Sequence, residues 1–175
     1  MELWDLYTKD RFPTGKTMVR GEKMPQGVYR IVVHICIFNE KGEMLIQQRQ
    51  PFKKGFPDMW DVSAGGSAIA GETSAEAAER EAREELGIEL SLAAVMPRMT
   101  VNFSEGFDDI YVIEKNVDIS TLTLQYEEVQ AVKWAKCEEI LAMIDSGTFI
   151  PVGKKLIELL FAMREYSGIF EKNNL

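Results

Sequence analysis

The sequence predicts an α/β fold: a mixed β-sheet covered on both faces by helices, an α/β/α sandwich with an N-terminal β-hairpin added in front. Three observations predict it. Runs of β-branched and aromatic residues, separated by turn residues, fill the first third of the chain. One strongly periodic, well-capped helical segment then begins near Glu72. Further strand-like runs lead to two amphipathic helices at the end. Strands, a helix, strands and terminal helices pack most simply as helices on both sides of one sheet.

The elements follow in order. Glu2 to Thr8 reads as a strand and turns through Pro13-Thr14-Gly15 into a second, Lys16 to Arg20. Val28 to Phe38 is a long, largely buried strand, and Asn39-Glu40-Lys41-Gly42 turns it into a hairpin partner at Glu43 to Gln48. From Pro51 to Gly71 the chain is glycine- and proline-rich and loop-like around one short strand, Trp60 to Ser63. Thr73 and Glu76 have capping-box spacing, Ala75, Ala78, Ala82 and Leu86 share one helical face, and Gly87 is the C-cap. Strands are expected at Glu89 to Ala94, Arg98 to Phe103, Asp109 to Glu114 and Val129 to Trp134, and helices at Glu138 to Ser146 and Val152 to Tyr166. No repeat or linker divides the chain, so it reads as one domain: hairpin 1–27, core 28–147 and C-terminal helix 148–175.

Bulk properties exclude several functions. With 175 residues and 46% hydrophobic content, the chain buries a core without disulfide or metal staples. A net charge of -8 argues against nucleic acid and anionic membranes as partners. It also means that an anionic substrate needs a local cation, which points to a metal. Two cysteines without a CxxC pair are read as reduced thiols of a cytoplasmic protein. A single histidine rules out a multi-imidazole zinc site. The first residues do not form a signal peptide, and the apolar runs Ile31 to Phe38 and Leu156 to Met163 are too short to span a bilayer.

The chemistry-bearing residues sit on the predicted helix. At about 100° per residue, Glu81, Glu84 and Glu85 cluster on one arc beside the alanine stripe. Glu81 and Glu85, four apart, repel each other, and Arg80 offsets part of that through Glu76 and Glu84. Such an arc is either a solvated acidic face or a set of oxygen ligands for a hard divalent cation. The spacing decides between them. Gly66, Glu72 and Arg80-Glu81-Ala82-Arg83-Glu84-Glu85-Leu86-Gly87-Ile88 resemble the Nudix box, Gly-x5-Glu-x7-Arg-Glu-U-x-Glu-Glu-x-Gly-U, with U a bulky aliphatic residue. Every fixed position matches, and Ala82 is the one soft departure.

The resemblance implies a Nudix-type fold and a hydrolase that cuts the diphosphate of a small molecule of the nucleoside diphosphate-X kind. It implies Mg2+ or Mn2+ held by Glu81, Glu84 and Glu85, with the Gly65 carbonyl completing the shell. Glu72 and Arg80 would orient the loop against the helix. The general base would be Glu81 within the box, or Glu128 or Glu127 outside it, with Glu81 and Glu128 preferred. Arg49, ending a strand before the loop, either forks onto a phosphate or makes a surface ion pair. Lys53 and Lys54 either assist diphosphate binding or are a solvated pair, with solvation the preferred reading; Trp60 is read as a core anchor, and His34 and Cys36 as packed. Phe103 and Phe107 flank a Ser104-Glu105-Gly106 turn and offer a base-stacking alternative to plain packing. The hairpin offers a surface for a homodimer.

Trp60-Asp61-Val62-Ser63-Ala64-Gly65-Gly66 is one residue longer than the Trp-x-x-Pro-Gly-Gly of many Nudix hydrolases. With Thr14-Gly15, Arg20-Gly21 and Lys53-Lys54 it resembles the branch near isopentenyl diphosphate isomerase. The isomerase's loop cysteine falls on Gly65, however, and its metal-binding histidines fall on Arg30 and Ser67. Isomerase is therefore the weaker reading. A third is a non-catalytic nucleotide-sensing module, which would be expected to lose box carboxylates that this chain keeps.

Overall fold

The computed structural model describes residues 2–167, 170 and 171. A two-stranded hairpin, β1 (Leu3–Tyr7) with β2 (Pro13–Val19), precedes a seven-stranded mixed sheet. That sheet contains β3 (Arg30–Phe38), β4 (Met44–Arg49), β5 (Trp60–Asp61), β6 (Ala64–Ser67), β7 (Met99–Phe103), β8 (Gly106–Glu114) and β9 (Val129–Ala135). Helix α1 (Ser74–Leu86) covers one face; α2 (Cys137–Asp145) and α3 (Lys154–Met163) cover the other. A short pair, β10 (Tyr166–Ser167) with β11 (Phe170–Glu171), follows.

Alternation along β3 builds both layers. Ile31, Val33, Ile35 and Ile37 pack toward α1, against Ala77, Ala78 and Leu86. Cys36 and Phe38 point the other way, against Ile140, Ile157 and Leu160. Side chains two apart in a strand share a face, so a nearly continuous apolar run serves two cores. Burying a leucine such as Leu86 contributes about 2 kcal/mol.

Strand β3 runs parallel to β8 along its whole length and antiparallel to β6 from Val32 to Ile35. It meets β4 only at Phe38↔Met44. The expected hairpin therefore opens at once, because β6 takes the edge that β4 would have used, and β4 pairs with β9 instead.

Glu89 to Ala94, expected as a strand, is irregular. Its Leu92 side chain is buried, and the Leu92 amide donates to the Glu79 carboxylate in place of a ladder partner. Ala64 to Ser67, expected as loop, is a strand. The two glycines there permit close approach: a Cβ on Gly65 would lie 2.8 Å from the Val33 carbonyl, and one on Gly66 would lie 2.2 Å from Glu81 Oε1.

The hairpin is fastened to the strand-to-helix connection that carries the box. Ala70 donates to the Leu3 carbonyl at 2.8 Å and Gly71 to Asp5 Oδ2 at 2.7 Å. Tyr7 and Tyr29 exchange backbone bonds, and Arg11 forks onto the fully buried Asp109.

Candidate active site

Helix α1 presents its carboxylates in a fixed direction because both ends are held. Thr73 Oγ1 accepts from the Glu76 amide at 3.2 Å, and Glu76 Oε2 accepts from the Thr73 amide at 2.8 Å. At the other end Gly87 adopts φ 70°, and its amide donates to Arg83. Between them Ala77, Ala78, Ala82 and Leu86 are buried, and the small alanines let the helix lie close on β3 and β6.

A cavity of about 170 Å³ opens over this arc, lined by Gly65, Gly66 and Ser67 of β6 and by Arg80, Glu81, Glu84 and Glu85 of α1. Glu128 and Gln125 precede β9 on another wall, and Glu2 and Arg20 reach in from the hairpin. The expected ligands, Arg80 and Glu128 thus share one space. Glu127 is exposed and does not line it. Nor does Arg49: its Nε donates to the Gly55 carbonyl at 3.0 Å, and Nη1 lies 3.4 Å from Asp61.

Glu85 is buried, and its Oε2 accepts from the Gly65 amide at 3.1 Å and from Gln47 Nε2 at 3.0 Å. Burial, and then the neighbouring Glu81 charge, pushes its pKa up to about 8. No cationic side chain pairs with it among the described residues. Burial also raises Glu81, with Glu84 and Glu2 adding to the effect and Arg80 opposing it.

All five Arg80 donors are engaged. Nε and Nη2 fork onto Glu72 at 2.7 and 3.1 Å, and Nη2 also reaches the Ser67 carbonyl at 3.0 Å. Nη1 reaches Glu81 at 2.8 Å and Glu84 at 3.1 Å. Glu72 in turn accepts from the Ile69 amide, so one arginine joins loop, strand and helix.

The donor set fits a hard divalent cation. It is all oxygen, with five carboxylates facing two guanidinium groups in the cavity. Among the described residues, Glu85 is buried without a countercharge and Gln47 Oε1 is buried without a partner. Among the described residues no three acidic, histidine or cysteine side chains already converge on one point. Glu81 and Glu84 repel one another and turn to Arg80 instead.

Several residues around the site escaped the sequence reading. Gln47 was detectable as a polar residue inside a buried apolar strand. Arg20, part of the family resemblance alone, and Glu2 and Gln125 are given no site role by the sequence, since only tertiary folding brings them in. His34 is half-buried rather than wholly packed, with Nδ1 2.7 Å from Asp108 Oδ1. Burial alone would lower its pKa, but the Asp108 hydrogen bond and charge hold it above the usual imidazole value. Trp60 packs as a core anchor under Lys133. Phe107 is buried against Tyr29 and Arg11, and Phe103 carries the Arg30 guanidinium, so both rings are occupied within the chain.

Comparison with known proteins decides the lineage. The NUDIX domain family model matches residues 28–158. The chain belongs to the Nudix family. A Nudix hydrolase of Listeria monocytogenes is 52% identical over 151 residues, covering 86% of this chain and 89% of that protein. The crystal structure of DR0079 from Deinococcus radiodurans superposes with a TM-score of 0.72 at 27% identity, covering 93% of this chain and 99% of the other. At 19% identity and a TM-score of 0.59, a Francisella tularensis NMN adenylyltransferase/ADP ribose pyrophosphatase complexed with AMP and Mn shares the fold, over 82% of this chain and 43% of that one. The protein is thus a Nudix hydrolase, and no helix among its described residues is long and apolar enough to cross a membrane.

Proposed function

We propose that this Nudix hydrolase cleaves the diphosphate linkage of a nucleoside diphosphate-X type small molecule, using Mg2+ or Mn2+ held by Glu81, Glu84, Glu85 and the Gly65 carbonyl. The observation that carries the reading is Glu85: a buried carboxylate beside Glu81, hydrogen-bonded to β6, with no cationic partner among the described residues. Bound there, the cation supplies charge neutralisation for phosphate oxygens and lowers the pKa of water.

The chain's own groups do the rest. Arg80 holds Glu81 and Glu84 at fixed spacing and ties the glycine strand to the helix. A carboxylate, Glu81 or Glu128, takes the proton of the attacking water. The water oxygen bonds to phosphorus, the bridging P–O bond breaks, and its electron pair leaves with the departing phosphate. Glu128 is ion-paired with Lys53, and a base at that position would have to part from the lysine. Arg49 would have to leave Asp61 and Gly55 to serve as a phosphate ligand.

The residues of the loop do not support isomerase chemistry. Gly65 offers no thiol, and the nearby Cys36 is fully buried with its pKa driven far up by burial. We place the protein in the cytoplasm, in keeping with its two free cysteines, and propose a homodimer through the hairpin, to be checked by light scattering.

The test is product release across nucleoside di- and triphosphates, nucleotide sugars, dinucleotides and prenyl diphosphates, with each metal in turn. Metal-dependent cleavage of a nucleotide member is expected. Silence across the nucleotides, or isomerisation of a prenyl diphosphate, would overturn the reading.

A further inference from the structure

The hairpin lies outside the residues matched by the family model, yet Glu2 and Arg20 line the cavity. The cavity's two cations differ in availability. Every Arg80 donor is engaged by Glu72, Glu81, Glu84 or Ser67. Among the described residues Arg20 has a single ion-pair partner, Glu2, at 2.8 Å, with the two side chains 58% and 32% exposed. Lys53 is held by Glu128 and does not line the cavity.

The position of Arg20 is built. Its amide donates to the Glu2 carbonyl at 3.0 Å, closing the hairpin ladder, and the hairpin is bonded to Ala70 and Gly71 beside the box. Arg30 does not line the cavity: its guanidinium is bonded to Ser67 and lies 4.4 Å from the Trp4 ring and 5.6 Å from the Phe103 ring. Arg20 is therefore the more available of the two guanidinium groups that line the acidic cavity.

We infer that the hairpin is a substrate-binding element, in which Arg20 exchanges Glu2 for a phosphate of the bound diphosphate. The inference rests on the diphosphate reading above. An exposed carboxylate pair is weakly held, whereas a phosphate accepts a guanidinium in a bidentate fork. Glu2 is the resting partner that keeps Arg20 from settling on Glu81 or Glu128, both within its electrostatic reach.

The probe is methylenediphosphonate, a diphosphate that water cannot split, titrated calorimetrically into the full chain with Mg2+. Arg20→Ala is expected to weaken binding about tenfold, and Arg20→Lys to restore part of it. Glu2→Gln is expected to tighten binding, and that gain should disappear when combined with Arg20→Ala. Mn2+ affinity should be the same in Arg20→Ala as in the wild type, separating a phosphate role from damage to the metal site. Wild-type binding unchanged by Arg20→Ala would overturn the Arg20 role and leave the diphosphate reading standing. No binding by the wild type would overturn both. Should Arg20→Ala fail to fold, unchanged affinity in Glu2→Gln would overturn the role by itself.

Discussion

The Glu85 carboxylate accepts the Gly65 amide at 3.1 Å, which ties the last turn of α1 to the glycine strand β6. This contact holds a buried carboxylate where backbone and carboxylate oxygens meet, and Glu81 stands beside it on the same helix. Two like charges held in a nearly dry site are costly until a cation joins them.

Glu85→Gln preserves shape while removing the charge. Turnover should fall at least about 100-fold. The fold should survive, with the metal-free thermal midpoint unchanged or a few degrees higher, since the cost of burying and neutralising that carboxylate is removed. Activity assays and a thermal melt check both.

Gly66→Ala separates packing from function. The new Cβ would fall 2.2 Å from Glu81 Oε1, the mobile end of a side chain, so Glu81 moves and the backbone stays. The stability cost should be about 1–2 kcal/mol by denaturant titration, with turnover down about 100-fold.

Arg11→Ala should destabilise the chain by about 3 kcal/mol, because it strands the fully buried Asp109 without its cation. Burial by itself would raise the Asp109 pKa, but Arg11, Ser74 and Thr100 hold it below the usual value. A depressed carboxylate stabilises the fold above its unfolded pKa, and that contribution is lost as pH falls through the folded value. Acid unfolding of Arg11→Ala should therefore begin at higher pH than in the wild type.

The His34–Asp108 pair has the opposite sign. The folded imidazole titrates above its ordinary 6.5, so its stabilisation is complete below that value and disappears as pH rises through the folded pKa. The difference in thermal midpoint between wild type and Asp108→Asn should be larger near pH 5.5 than near pH 9. An equal difference at both would contradict the pairing.

Local signals in the sequence were enough for α1 and its arc. The Thr73–Glu76 cap, the alanine face and Gly87 each act within one or two turns, and the box spacing identifies the carboxylates. Strand β6 was not legible, because Gly65 and Gly66 look like loop residues until β3 and Glu81 are seen crowding them. The Glu89 to Ala94 segment has strand composition but no neighbour to pair with, and Leu92 is held by Glu79 instead. Arg49 stands at the expected strand end, yet which way its guanidinium turns depends on Asp61 and Gly55. Arg20 lies more than 60 residues before Glu81, Glu84 and Glu85 in the chain and shares their cavity only because the hairpin docks on Ala70 and Gly71.

The most direct test of the central claim is turnover of the substrate found in the panel, measured before EDTA, after it, and after Mg2+ or Mn2+ is restored. Activity should vanish with chelation and return with either metal, and Glu85→Gln should not recover. Turnover indifferent to chelation would contradict the assignment of the α1 carboxylates as a metal site.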